Sequence, residues 1–160
     1  MSHADVLIEE FEKAKNYSDI FSLVKKAVKK SLKEHRVGLM LYLGNLPMRI
    51  GAFHPIGTND IVLNRGLINA LKSEVKQKSY LFSLILHEYL HSLGYHDEEQ
   101  VRALTYKIAV ENFGSQHPVV DASMTGPWFE LTQEDYETIQ QDIDLEIVKD
   151  FEKIEIGYII

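Results

Sequence analysis

The stretch that most constrains this chain is LILHEYLHSLGYHDEEQVRAL, from Leu84 to Leu104. Leu84, Ile85, Leu86 and Leu90 surround two histidines and a glutamate, His87, Glu88 and His91. A helix this apolar has to be enclosed, and a polar group buried without a partner costs ~1–3 kcal/mol, so these three side chains need a task. Gly94 is a natural stop, because glycine takes the left-handed conformation without steric cost. Carboxylates suited to a helix N-terminus follow at once in DEEQVRALTYKIAVENF. The fold must therefore bury one helix and end it just beyond its histidines.

The remaining segments place that helix in an α+β protein. The N-terminal region, 1–36, reads as helical: ADVLIEEFEKA is a short amphipathic helix, and a second helix starts at Ser18 as N-cap. Its apolar face is Ile20, Val24, Ala27, Val28 and Leu32, and its other face holds Lys25, Lys26, Lys29, Lys30 and Lys33. VGLMLYL, RIGAFH and DIVLN are short strands separated by turn-like residues, enough for a small mixed sheet packed against the histidine-bearing helix. NRGLINALKS starts another helix. GSQHPVVDASMTGPW reads as a loop, TQEDYETIQQDIDLEIVKDFEK as a polar helix, and IEIGYII as a closing strand. With 160 residues and no linker or repeat, residues 1–160 form one domain.

Composition removes several functions. There are no cysteines, so thiolate metal sites, disulfides and cysteine nucleophiles are excluded; a metal site must use His, Asp, Glu and water. A net charge of -7 argues against nucleic acid as the main partner. No apolar run reaches the ~20 residues that span a bilayer, and MSHADVLIEEFEK lacks the basic start of a signal peptide, which points to the cytoplasm. The C-terminal segment 128–160 is dense in carboxylates, and it is a candidate to mask the lysine face or a cleft within the same chain.

On a helix, residues four apart share a face, so His87 and His91 can reach one zinc ion at ~2.0–2.1 Å. Zinc lowers the pKa of its water from ~15.7 to about 7. Glu88, at an adjacent angle, is placed to take the proton as general base rather than to ligate.

HEYLHSLGYHD resembles the zincin metallopeptidases, and within them the metzincin pattern H-E-x-x-H-x-x-G-x-x-H. The resemblance implies a zincin-like fold, a Zn2+ cofactor and a peptide or protein substrate. It also implies a third ligand six residues after the second histidine. That position is Asp97, with His96 one residue early as the alternate. A glutamate-type zincin would instead use a Glu of the following helix: Glu98, Glu99 or Glu111, the first two also reading as plain N-terminal charges. Snapalysin-type enzymes are similar in carrying Asp here, and bacterial ribosome-maturation endoribonucleases share the spacing but have glycine in place of Glu88. Met124 in VVDASMTGPW resembles the metzincin methionine turn, and DIVLN, Asp60 to Asn64, the family's substrate-binding edge strand. His54 and His117, each before a proline, read as structural.

The expectation is a zinc metallopeptidase held by His87, His91 and Asp97, with Glu88 catalytic. The alternatives are a metal-dependent hydrolase of another class, such as a ribonuclease, or a zinc-holding regulatory module without turnover.

Overall fold

The computed structural model describes residues 2–126 and 145–152. Two helices open the chain. Helix α1, His3–Lys13, begins with a reciprocal capping box between Ser2 and Asp5. Helix α2, Tyr17–Leu32, is capped by Asn16, whose side chain accepts from the Asp19 amide. Ser18, the cap expected from sequence, is inside the helix, and its hydroxyl is buried without a hydrogen-bond partner among the described residues. Asn16 takes the cap instead: its Oδ1 accepts from the Asp19 amide at 2.8 Å, and the Asp19 carboxylate accepts from the Lys15 amide at 2.9 Å.

Three strands follow: β1, Met40–Gly44; β2, Ala52–Phe53; and β3, Asp60–Asn64. Helix α3, Arg65–Ala70, leaves directly from β3 and is capped by Asn64. Helix α4, Glu74–Ser92, is the apolar helix and starts at Ser73, whose hydroxyl accepts from the Lys76 amide. Helices α5, Glu98–Phe113, and α6, Pro118–Thr125, come next. Strand β4, Glu146–Ile147, closes the described sheet. The expected polar helix falls mostly outside the described residues, but its 146–147 portion is strand rather than helix. The expected closing strand IEIGYII also lies outside them.

The sheet order is β2-β3-β1-β4. β1 and β3 are parallel, while β2 on β3 and β4 on β1 are antiparallel. This is a mixed sheet in an α+β fold, as the sequence implied. DIVLN, however, is interior: β3 is paired on both sides, and four of its five residues are buried. The outer strand beside α4 is β2. Gly51 lets that strand approach closely, because a Cβ there would meet Leu84 Cδ2 at 2.7 Å.

Helix α4 packs against the sheet, α2, α5 and α6. Phe82, Ile85, Leu86, Tyr89 and Leu90 are fully enclosed and share one core with Leu41, Ile61 and Leu63. Full burial of each such side chain contributes roughly 1.5–3 kcal/mol, which fixes the rotation of α4 and hence the direction of its histidines. Arg36 ties down its C-terminal end by donating to the Ser92 carbonyl and to the Asn59 side chain, and the Arg36 amide donates to Tyr89 Oη at 2.9 Å. A cation over terminal carbonyls also opposes the helix dipole.

The lysine face of α2 is partly covered. Lys26 pairs with Glu10 at 2.9 Å, and Lys25 with Glu152 at 3.7 Å. Glu152 also accepts from the Gly38 amide, and its neighbour Phe151 stacks on Phe21 at 4.3 Å. No described helix is long and apolar enough to cross a membrane.

Candidate metal centre

The last turn of α4 carries His87 and His91 on one face, as their spacing requires. Gly94 then takes φ +108, and the chain turns so that the Tyr95 amide bonds the Leu90 carbonyl at 3.2 Å. Asp97 caps α5 by accepting from the Glu99 amide at 3.2 Å. The first residue of α5, Glu98, then faces back toward α4.

Glu98 meets both histidines. Its Oε2 lies 3.0 Å from His87 Nε2, and its Oε1 lies 2.7 Å from His91 Nε2. The two Nε2 atoms are 3.3 Å apart. Among the described residues these three form the only group of His, Asp and Glu side chains whose donor atoms all fall within 4.8 Å of one another. The structure thus brings together His87, His91 and Glu98. Asp97 is held at the helix cap, His96 and Glu99 are exposed beside it, and Glu111 is exposed nearer the far end of α5.

The protonation pattern explains what such a cluster requires. His91 Nδ1 lies 2.7 Å from the Tyr95 carbonyl oxygen, which can only accept, so Nδ1 carries a proton. In the neutral ring Nε2 is then a lone pair, and it faces a carboxylate lone pair at 2.7 Å. Only a cation between them, a second proton or a metal ion, makes that contact favourable. Burial lowers the His87 pKa, which favours its neutral, ligating form. Burial alone would raise the Glu98 carboxyl, but the charge and hydrogen bonding of His87 and His91 outweigh it and hold Glu98 below its usual value. Two imidazoles and an ionised carboxylate form a nitrogen and oxygen donor set that could hold a divalent transition-metal ion.

Glu88 is only 6% exposed, and it borders the same cavity. Burial pushes its carboxyl up to about 8, the nearby Glu98 charge adds to this, and a hydrogen bond from the His54 amide opposes it. The cavity measures about 540 Å³, with α4 on one side and the approach to β2 on the other.

The other sequence-marked residues fall into place around it. Met124 is 65% exposed, in the last turn of α6, where it lines the cavity. The expected loop is a helix there because His117 caps it and Pro118 occupies its first turn. His54 Nδ1 donates to the Asp60 carbonyl at 2.8 Å. His117 accepts from the Val119 amide and packs against the Phe11 and Phe113 rings.

One organising residue was missed from sequence. Asn64 is wholly buried, and its side-chain amide donates to the Leu46, Pro47 and Ile50 carbonyls while its Oδ1 accepts from the Leu46 amide. It pins the 46–50 loop against the end of β3, and that loop forms one wall of the cavity. The signal available was a polar residue closing an apolar strand.

No protein-family model matches this chain, and neither does any curated protein or solved structure.

Proposed function

We propose that the protein is a zinc-dependent metallopeptidase whose metal is held by His87, His91 and Glu98. The observation that carries this is the convergence of three acceptor groups on one point, beside a buried carboxyl, at the wall of a cavity. This ligand set follows the glutamate-type zincin alternative more closely than the metzincin register, with Asp97 serving the backbone instead.

When bound, zinc supplies Lewis acidity toward a carbonyl oxygen and acidifies a water. The chain's own contributions are distinct. His91 is held in the ligating tautomer by the Tyr95 carbonyl. Glu88 accepts a proton and passes it to the leaving amine as general base and then acid. Without a cation it retains its proton at neutral pH, while an adjacent positive charge favours its ionised form. Gly51 and Ala52 border the cavity from the outer strand, where an extended peptide can add along the backbone.

Purified protein should hold about one zinc per chain and cleave members of a mixed peptide library, with chelator abolishing the cleavage. Stoichiometric zinc without cleavage of any peptide would leave a metal-binding module instead. Cleavage unaffected by chelator would remove the metal from the reading altogether.

A further inference from the structure

The chain has four arginines: Arg36, Arg49, Arg65 and Arg102. Two are engaged by the fold. Arg36 binds the end of α4 and Asn59, and Arg65 pairs with Glu146 at 2.8 Å. The other two line the cavity beside His87, and neither makes a hydrogen bond or ion pair with any described residue. Among the described residues no lysine lines that cavity. The arginines that have no hydrogen-bond or ion-pair partner among the described residues are therefore gathered at one cavity.

They reach the cavity from separate elements. Arg102 stands one helical turn beyond Glu98 on α5, near enough to His87 for its charge to act on that ring. Arg49 stands on the loop that Asn64 pins from below. The two carboxylates on the cavity wall are already occupied: Glu98 by the histidines, and Glu88 by burial and the His54 amide. In a protein of net charge -7, the unpaired charge that the described residues bring to this cleft is positive.

We infer that Arg49 and Arg102 form a carboxylate-recognising subsite beside His87, which selects acidic peptides. A guanidinium presents a planar fork of donors that matches a carboxylate in two parallel hydrogen bonds. The carboxylate is either an Asp or Glu side chain or the peptide's own C-terminus. The inference rests on reading the cavity as a peptide cleft.

The test is binding by the full-length chain in chelator, where turnover does not intervene, read by fluorescence anisotropy. The probes are labelled decapeptides containing Glu, or Gln at the same positions, each with a free or an amidated C-terminus. A single-stranded RNA decamer serves as competitor. Wild type should bind peptides that carry the recognised carboxylate about tenfold more tightly than those that lack it, Glu over Gln or free over amidated C-terminus, the scale of one charge-assisted hydrogen bond. Arg49→Gln and Arg102→Gln should each reduce that preference severalfold, and the double variant should abolish it. Arg65→Gln should leave it intact, and Arg→Lys at both cavity positions should retain part of it.

A loss of binding on amidation assigns the terminal carboxylate; indifference to amidation assigns the side chain. Equal binding of Glu and Gln peptides, free-acid and amidated alike, would overturn the subsite, as would a preference that survives in the double variant. RNA that displaces every peptide in an arginine-dependent manner would overturn the acidic-peptide assignment. Acid-selective binding without zinc-dependent cleavage would sink the peptidase reading and leave the subsite standing; cleavage without acid selectivity would do the reverse.

Discussion

His54 and His117 turn a ring nitrogen to the backbone, whereas His87 and His91 turn their Nε2 atoms to one shared point. His54 and His117 are integrated into the fold. One bonds the Asp60 carbonyl; the other caps α6 between two phenyl rings. His91 also uses one nitrogen structurally, on the Tyr95 carbonyl, but its other nitrogen faces His87 and Glu98. His91 thus has one nitrogen fixed by the fold and the other aimed at a shared point, the arrangement that would suit a metal ligand.

The most severe way to break this contrast is to remove the ligands. His87→Ala, His91→Ala and Glu98→Ala should each reduce zinc from about one per chain to near zero, since apparent binding free energies of ~10–16 kcal/mol need a complete set. His54→Ala and His117→Ala should retain the metal, as read by elemental analysis. Zinc lost from Asp97→Ala but kept in Glu98→Ala would shift the site to the neighbouring carboxylate.

Next in size is the proton acceptor. Glu88→Gln should lower peptide cleavage by about 10²–10⁴-fold, the range for general base catalysis, with zinc content unchanged. Loss of zinc in that variant would make Glu88 a ligand or a structural residue.

Glu88 also gives the metal-free protein a pH signature. Its carboxyl is raised from 4.5 to about 8 in the fold, so the folded chain binds the extra proton between those values. Stability from this group is fully present below pH 4.5 and is lost as pH rises through 8, by ~5 kcal/mol in all. His87 is shifted downward and contributes in the opposite sense, but it is common to wild type and Glu88→Gln. The difference between their urea unfolding free energies in chelator, compared at pH 5 and pH 8, therefore isolates Glu88. A difference that does not change with pH would mean the carboxyl is already ionised at neutrality.

The smallest effects belong to the caps. Asp97→Ala and His117→Ala should each cost about 1 kcal/mol of stability, the usual scale for a lost N-cap, measured by chemical denaturation. A cost near zero at Asp97 would mean its carboxylate does not hold the start of α5.

Much of this was readable from residues alone. The α4 histidines, the stop at Gly94 and the first three strands follow from local periodicity and from glycine's backbone freedom. The approach of Glu98 was less legible, because two adjacent choices decide it. Asp97 prefers the backbone amide of Glu99, and that preference leaves the next carboxylate to turn inward. The interior position of β3 depends on pairing with β1 and β2, which sequence patterns do not encode. The pinning by Asn64 depends on a loop 14–18 residues away, and the two cavity arginines are 53 residues apart in the chain.

The proposed ligand set has a consequence for how the molecule assembles. His87, His91 and Glu98 lie within one helix–turn–helix, so bringing them together closes a loop of only about ten residues, at little entropic cost and on a fast timescale. The surroundings of Glu88 are different, because the His54 amide reaches it from 34 residues earlier in the chain. On the proposed reading ion capture would be a local event, whereas Glu88 acquires its environment only with the long-range contacts, which form more slowly. Zinc added during refolding should accelerate protection of the α4–α5 amides in hydrogen exchange ahead of those in β2, and simultaneous protection of both would remove that order.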